Sequence, residues 1–392
     1  MITTLQDALA AVAHVGPIAR EHAQKSEDGR RLAPEVLDAI GDAGLWSAFS
    51  PGACGGAGLS ALNELFEINR AMAYEDTSAG WALLICAGVG ALAGARMTDE
   101  ARKEIFGGGG VPVAGVFNPG GAATRADGGF VFSGRWPFAS GITYAHWVLA
   151  NAIALDDAGM PLPGERGLPE IVTALFPRDE VEVIDDWHVA GLRGTGSMTF
   201  AVQDQFVPEH RTFAFFGPAS IDEPKFKIPL LTNVAGYFAG MAVGLAERAV
   251  DAVIELLPTR VGPPTFEPAS ADPYNQWVLG RARAAIRGAA ESTRSIYARY
   301  DARLEAGEDL TMLSIADRAE VHEHTVWVGE TCRDAVNDLF RLGGANSIYE
   351  SSVLQRIWRD VNILNQHVYF RTQNHQLAGS VALGNDIVAP LL

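Results

Sequence analysis

The sequence predicts an α+β fold, mainly helical, in three consecutive parts: a helical domain over 1–108, a β-domain over 109–215 and a second helical domain over 216–392. Three observations predict it. Apolar residues recur at helical spacing at both ends of the chain. Between them the period changes to short β-branched and aromatic runs separated by turn residues. Strands do not alternate with helices, which disfavours a doubly wound parallel sheet.

In the first part, Leu5, Leu9, Val12 and Val15 share one helical face, as do Leu32, Val36, Leu37 and Ile40. Gly44 and the glycine loop at 51–58 break the pattern, which resumes at Leu62, Leu65 and Ile68. That loop lacks the Gly-Lys-Ser/Thr ending of a phosphate cradle, so it reads as a connector between helices. The run 79–95 carries no charge. It is shorter than the ~20 residues a membrane span needs, and its Gly and Ala content predicts a helix buried on all sides.

Glycines 107–110 end the helical pattern. Strand-like runs follow at 111–114, 129–132, 147–150, 172–176, 181–184 and 198–206, with turn or loop segments at 118–121 and 156–169. Short strands with regular turn signals predict a compact antiparallel barrel or sandwich. Within 129–142 the pattern is a strand, a glycine break at Gly134 and a second short strand, which Pro137 assigns to an edge or a bulge. Ser140-Gly141 then lets the backbone approach something flat, because neither residue puts bulk above the chain. Two readings stand at this point: a plain hairpin, or a flavin platform with Trp136 and Phe138 beside the ring and Ser140 at its N5 edge.

Helical spacing returns after Pro229. A Gly/Ala-rich segment at 236–257 permits close helix packing, and a proline-rich loop at 258–273 contains Arg260. Long helices are expected over 275–306 and 313–341, then a final helical stretch over 351–382.

Composition narrows the function. A chain of 392 residues with 48% hydrophobic and 20% charged residues folds into two or three domains. A net charge of -17 argues against nucleic-acid partners and anionic membranes. Cys54, Cys86 and Cys332 are too few and too scattered for a disulfide framework or a metal site, which fits a cytoplasmic location. The first residues lack the basic start and apolar core of a secretory signal. Glycines 191, 194 and 196 have the wrong spacing for a dinucleotide fingerprint.

The segment 134–141 (Gly-Arg-Trp-Pro-Phe-Ala-Ser-Gly), with 187–197 and with 342–344 and 355–360, resembles the acyl-CoA dehydrogenase superfamily. Within it the match is to the two-component flavin-dependent monooxygenases: phenol, steroid-ring and thiophene-type hydroxylases. The resemblance spans most of the chain. It implies a C-terminal four-helix bundle, a homotetramer, and reduced FMN or FAD supplied by a separate flavin reductase. It also implies flavin contacts at Asn118, Trp136, Phe138, Ala139 and Ser140, and contacts to ring or substrate at Arg193, Gly194, Thr195 and Ser197. Gly343, Gly344 and Arg260 would meet the cofactor phosphates from a neighbouring subunit.

Dehydrogenases of this superfamily typically place a catalytic Glu soon after an Arg-Asp pair. Here Arg359-Asp360 is followed by Val-Asn-Ile-Leu-Asn-Gln-His367, with no carboxylate, and the monooxygenase branch has a His in this place. An imidazole with a pKa near ~6.5 suits deprotonation of a phenol near neutral pH. The implied mechanism is O2 addition at flavin C4a, a C4a-hydroperoxyflavin protected by Ser140, and an aromatic or heteroaromatic substrate activated by His367. His375, eight residues on, is expected on the same helical face. His146 and His188 sit in motif segments without a decided role. His322 and His324 diverge at i,i+2 and read as solvated polar surface. The apolar segment 83–87 reads as a substrate wall. The alternatives are a nitrogen-oxidising monooxygenase of the same fold, an acyl-CoA dehydrogenase or oxidase, and a flavin-free scaffold.

Overall fold

Local signals set the first element ends in the computed structural model, which describes residues 2–164, 168–262 and 266–385. The loops expected at 156–169 and 258–273 cross 165–167 and 263–265, which lie outside the described residues. Helix α1 (Leu5–Glu21) opens on a reciprocal cap: Thr4 Oγ1 accepts from the Asp7 N–H, and the Asp7 carboxylate accepts from the Thr4 N–H. Helices α2 (Ala23–Gly29), α3 (Pro34–Asp42) and α4 (Leu62–Glu75) follow, α3 starting on a proline that loses no helical hydrogen bond there. Asp76 caps α5 (Thr77–Ala82) by accepting from Ala79 N at 2.8 Å. A π turn, Leu83–Ala87, joins α5 to α6 (Gly88–Arg96), and α7 (Asp99–Phe106) closes this part. The apolar run is thus one long helical segment, Thr77–Arg96, buried inside the protein as its composition predicts.

The middle of the chain forms one seven-stranded sheet: β1 (Val113–Ala126), β2 (Gly129–Ala139), β3 (Trp147–Leu155), β4 (Ile171–Pro177), β5 (Glu182–Ile184), β6 (Met198–Pro208) and β7 (Thr212–Ala214). The order is β5-β6-β2-β1-β3-β4-β7. Three expectations need correction. First, β1 and β3 pair in parallel, so the sheet is mixed rather than antiparallel. Second, segment 118–121 is not a turn between strands but lies inside β1, where the register with β3 slips between Val116 and Gly121. Third, 129–139 is one strand, because β6 pairs with it on both sides of Gly134. Pro137, which has no N–H for a ladder, sits in the bulge between Trp136 and Ala139. The sheet curls over its own core: Phe132 of β2 and Phe176 of β4, separated by two intervening strands, meet edge to face at 5.6 Å.

Helices α8 (Leu230–Leu256), α9 (Pro273–Glu305), α10 (Ile315–Leu342), α11 (Val353–Leu364) and α12 (Gln373–Ala382) complete the fold. Helix α8 lies close against α4 because Gly240 has no side chain; a Cβ there would come within 3.0 Å of Arg70 N. The final stretch, expected as one helix, is broken between α11 and α12 by a 3₁₀ turn at Val368–Phe370. The break lets Tyr369 and Phe370 both bury against Phe238 of α8, at 4.6 and 5.9 Å between rings. Two buried aromatics outweigh the few helical hydrogen bonds given up.

Candidate active site

The site is built around Trp81 of α5. At the end of β2 the bulge puts Phe138 at φ +67°, and Gly141 turns at φ +78°, where a Cβ would run into Cys86 Sγ. That turn carries Ser140 to the helical layer. Trp81 Nε1 donates to Ser140 Oγ at 2.8 Å. Ser140 Oγ lies 2.7 Å from Ser197 Oγ, which lies 2.7 Å from Thr195 Oγ1, and Thr195 donates to the Leu192 carbonyl at 2.8 Å. All four side chains are buried. The other side of the indole meets the His367 ring edge to face at 5.5 Å. His367 stacks on Phe238 at 4.4 Å, so an indole, a phenyl and an imidazole from three separate elements meet in one place.

Burial governs the charge states here. The His367 imidazole is pushed down to about 4, first by loss of water and then by the Arg371 cation. The near-neutral base expected from the sequence is therefore a weaker one, uncharged at neutral pH. Its Nδ1 accepts from Tyr369 N at 3.4 Å, too long a contact to dictate the tautomer. His322 and His324 are buried, not solvated, because α10 is packed on both of the faces they occupy. His324 Nε2 lies 2.9 Å from Thr293 Oγ1 of α9, and His322 stacks on Tyr369 at 5.7 Å. Burial pushes both down to about 4. His375 does not share a face with His367, since the helix break separates them; it faces Glu330 at 3.3 Å.

Two residues noted only as a landmark support this site. Arg359 donates to Glu27 at 3.0 Å and to the Ala190 carbonyl at 2.6 Å. Asp360 accepts from Leu192 N at 2.7 Å. The pair anchors the segment that carries Thr195 and Ser197. Burial, with Glu27 and Asp76 nearby, raises the Asp360 carboxyl to about 7. The signal was present in the sequence: an Arg-Asp pair beside Ile357 and Val361 on a strongly amphipathic helix. Trp81 itself had no sequence signal beyond its place in an apolar run. The π turn that follows it appears only in three dimensions, and such turns are frequent at functional sites.

The structure brings Ser140, Thr195, Ser197 and His367 together around Trp81. Ala139 and Gly194 are both buried. Phe138 stands beside it, 69% exposed, with its ring 6.3 Å from Trp187. Arg193 turns its guanidinium away, donating to Val189 O at 3.0 Å and pairing with Glu350 at 3.5 Å. Trp136 requires a correction: its ring is fully buried, stacked on Phe200 at 5.0 Å, with Nε1 donating to Asn151 O at 2.7 Å. On β2 its side chain falls on the core side of the sheet, so its ring does not reach a ligand. Asn118 is exposed on β1 at the register slip. Arg260, Gly343 and Gly344 form a second group, where Arg260 Nη1 donates to the Leu342 carbonyl at 2.7 Å and caps α10. The side chain of His188 sits 3.3 Å from Arg30, and His146 is held by backbone bonds to Pro112 and Arg178.

The residues around Ser140 fit a flat ring with a polar edge. A bulky residue at positive φ is strained, and an exposed phenyl is unfavourable in water. Both costs at Phe138 are offset if a planar group covers it. A surface cleft of about 700 Å³ between α1, α4, α8 and α9 contains none of these residues.

Residues 237–372 match the family model described as acyl-CoA dehydrogenase, C-terminal domain. The chain is 30% identical over 372 residues to the flavin-dependent monooxygenase, oxygenase subunit HsaA, of Mycobacterium tuberculosis, covering 92% of this chain and 91% of that protein. It is 30% identical over 373 residues to the oxygenase component of an FADH(2)-dependent resorcinol hydroxylase from a Rhizobium species, covering 91% and 89%. Among solved structures, XiaF from a Streptomyces species, in complex with FADH2 and glycerol, aligns with a TM-score of 0.90 at 26% identity, covering 99% and 98% of the two chains.

Proposed function

This chain belongs to the family of oxygenase subunits of flavin-dependent monooxygenases, and on that premise we propose that it hydroxylates an aromatic or heteroaromatic small molecule using reduced FAD and O2. It is an oxidoreductase of the acyl-CoA dehydrogenase fold that works with flavin delivered by a separate reductase. The observation that carries the substrate reading is the double contact of Trp81. One indole joins Ser140, at a turn fitted to a flavin edge, to His367, an uncharged imidazole among aromatic rings.

Bound reduced flavin supplies the oxygen-activating chemistry. The chain's own residues do the rest. Phe138 would cover the ring, and Ser140, held by Trp81 and Ser197, would meet its polar edge. Phe238, Trp81 and the apolar turn Leu83–Ala87 keep water from the reacting atoms. His367 accepts the substrate hydroxyl proton as the new ring–oxygen bond forms. At that moment the hydroxyl becomes strongly acidic, so a base near 4 suffices. The wall of rings around His367 favours an aromatic substrate over an acyl thioester, and no carboxylate follows Arg359-Asp360 within 361–372 to abstract an α-proton.

We assign Arg260, Gly343 and Gly344 to the cofactor phosphates of a neighbouring copy in a homotetramer; their place apart from Ser140, at the C-terminal cap of α10, supports this. FAD is favoured over FMN because the resorcinol hydroxylase and the XiaF complex both take FADH2. Three buried free thiols agree with a cytoplasmic location.

The test supplies the protein with FADH2 from a flavin reductase, labelled O2 and a panel of phenols and indoles. Labelled oxygen in an aromatic product is the expected result. Absence of product across the panel, with bound FAD bleached by an acyl-CoA thioester, would return the protein to dehydrogenase chemistry.

A further inference from the structure

The four-member hydrogen-bond chain behind Ser140 has only one self-consistent direction. A carbonyl oxygen accepts and never donates, so Thr195 must donate its single hydroxyl proton to Leu192 O at 2.8 Å. The 2.7 Å contact between Thr195 and Ser197 is then donated by Ser197. By the same step, the 2.7 Å contact between Ser197 and Ser140 is donated by Ser140. At the far end the indole N–H of Trp81 can only donate, so Ser140 accepts it at 2.8 Å. Ser140 is left with its proton committed, one lone pair used and one lone pair free. Burial of all four side chains keeps out the water that would allow the chain to reverse. Reversal would also set two oxygen lone pairs against each other at the Leu192 carbonyl, leaving that buried contact without a proton.

We propose that Ser197 and Thr195 are positioning residues that make Ser140 a pure acceptor toward the flavin, and that this polarity selects the reduced ring. The inference rests on the reading that flavin meets the protein at Ser140. A reduced isoalloxazine carries a hydrogen on N5 and donates; an oxidised one presents a bare N5 lone pair. An acceptor-only Ser140 pairs with the first and repels the second. The relay is thereby a device for taking flavin reduced from the reductase and releasing it oxidised. Trp81 holds Ser140 in place but does not set its polarity, because Ser140 still donates to Ser197 when the indole N–H is removed.

The experiment measures the dissociation constants of FAD, in air, and of FADH2, anaerobically, for the wild type and for Ser197→Ala, Thr195→Val and Trp81→Phe. The readout is the ratio of the two constants, which requires no turnover. The wild type is expected to favour FADH2. In Ser197→Ala the Ser140 proton is free to turn to N5, and the ratio is expected to fall roughly tenfold, the size of one hydrogen bond. Thr195→Val, which keeps the shape of the side chain, deprives Ser197 of its acceptor and is expected to lower the ratio in the same direction. It decides the matter if Ser197→Ala does not fold. Trp81→Phe is expected to weaken both forms with the ratio preserved. An unchanged ratio in folded, flavin-binding Thr195→Val or Ser197→Ala overturns the proposal, as does a ratio that moves in Trp81→Phe alone. A wild type that binds neither form overturns the flavin reading itself, a different result from either.

Discussion

Replacing Asp360 by Asn should stabilise this protein at alkaline pH while leaving the geometry of the site intact. Asp360 is completely buried, and its Oδ1 accepts from Leu192 N at 2.7 Å. Asn keeps that carbonyl acceptor but cannot ionise. Burial lifts the carboxyl from 3.8 to about 7, with Glu27 and Asp76 adding repulsion and Arg359 only partly offsetting it. An acid whose folded pKa lies above its unfolded value is most stabilising when protonated, so its contribution is lost as pH rises from about 4 to 7. At roughly 1.4 kcal/mol per pKa unit, the wild type gives up about 1 kcal/mol by pH 4.5 and about 4 kcal/mol at pH 8. The assay is urea unfolding of both proteins at these two pH values. His322, His324 and His367 titrate in the opposite sense, losing their stabilising effect as pH falls from 6.5 toward 4. They do so equally in both proteins and cancel in the difference. The Asn variant should therefore gain on the wild type as pH rises. An Asn variant that is less stable at pH 8 would show that the ionised carboxylate is held by Arg359, and the burial argument would fail.

Ser140→Ala should raise hydrogen peroxide release per FADH2 oxidised, and an unchanged product-to-flavin ratio would remove Ser140 from the chemistry. His367→Ala should cut hydroxylation on the order of 10²-fold or more, as expected for a general base, with FADH2 affinity changed only severalfold; product at the normal rate would refute the assignment. Because burial holds His367 near 4, the pH profile of kcat/KM should show no acid break near 6.5 from this residue, and such a break would contradict its desolvation. Phe138→Gly should raise the melting temperature of the flavin-free protein by relieving about 1 kcal/mol of backbone strain, while weakening FADH2 binding. Loss of stability on that change would mean that the phenyl packs within the chain rather than against the cofactor.

Much of the architecture was present in residues close together in the sequence. The Thr4–Asp7 cap, the apolar faces of α1 and α3 and the strands around 130, 149 and 174 each depend on signals within a few positions. His367 was singled out by a different route, from resemblance in its flanking motif, and the same resemblance chose between the two local readings of Ser140; the structure places both residues against Trp81. The conformations that depend on distant partners were not legible locally. Pro137 allowed an edge or a bulge, and only pairing with β6 chose the bulge. Segment 118–121 has the composition of a turn, yet its neighbours draw it into β1.

The sequence by itself therefore determined the helix–strand–helix order, the buried apolar helix and the residue types of the site, because propensity, capping and periodicity act over one or two turns of chain. Tertiary structure alone decided that Trp136 faces the core, that His322 and His324 are buried, that the last helix breaks before Tyr369 and that Asp360 grips Leu192. Those outcomes follow from desolvation and side-chain packing between elements far apart in the chain. Burial shifts an imidazole or a carboxyl only once another element has excluded the water.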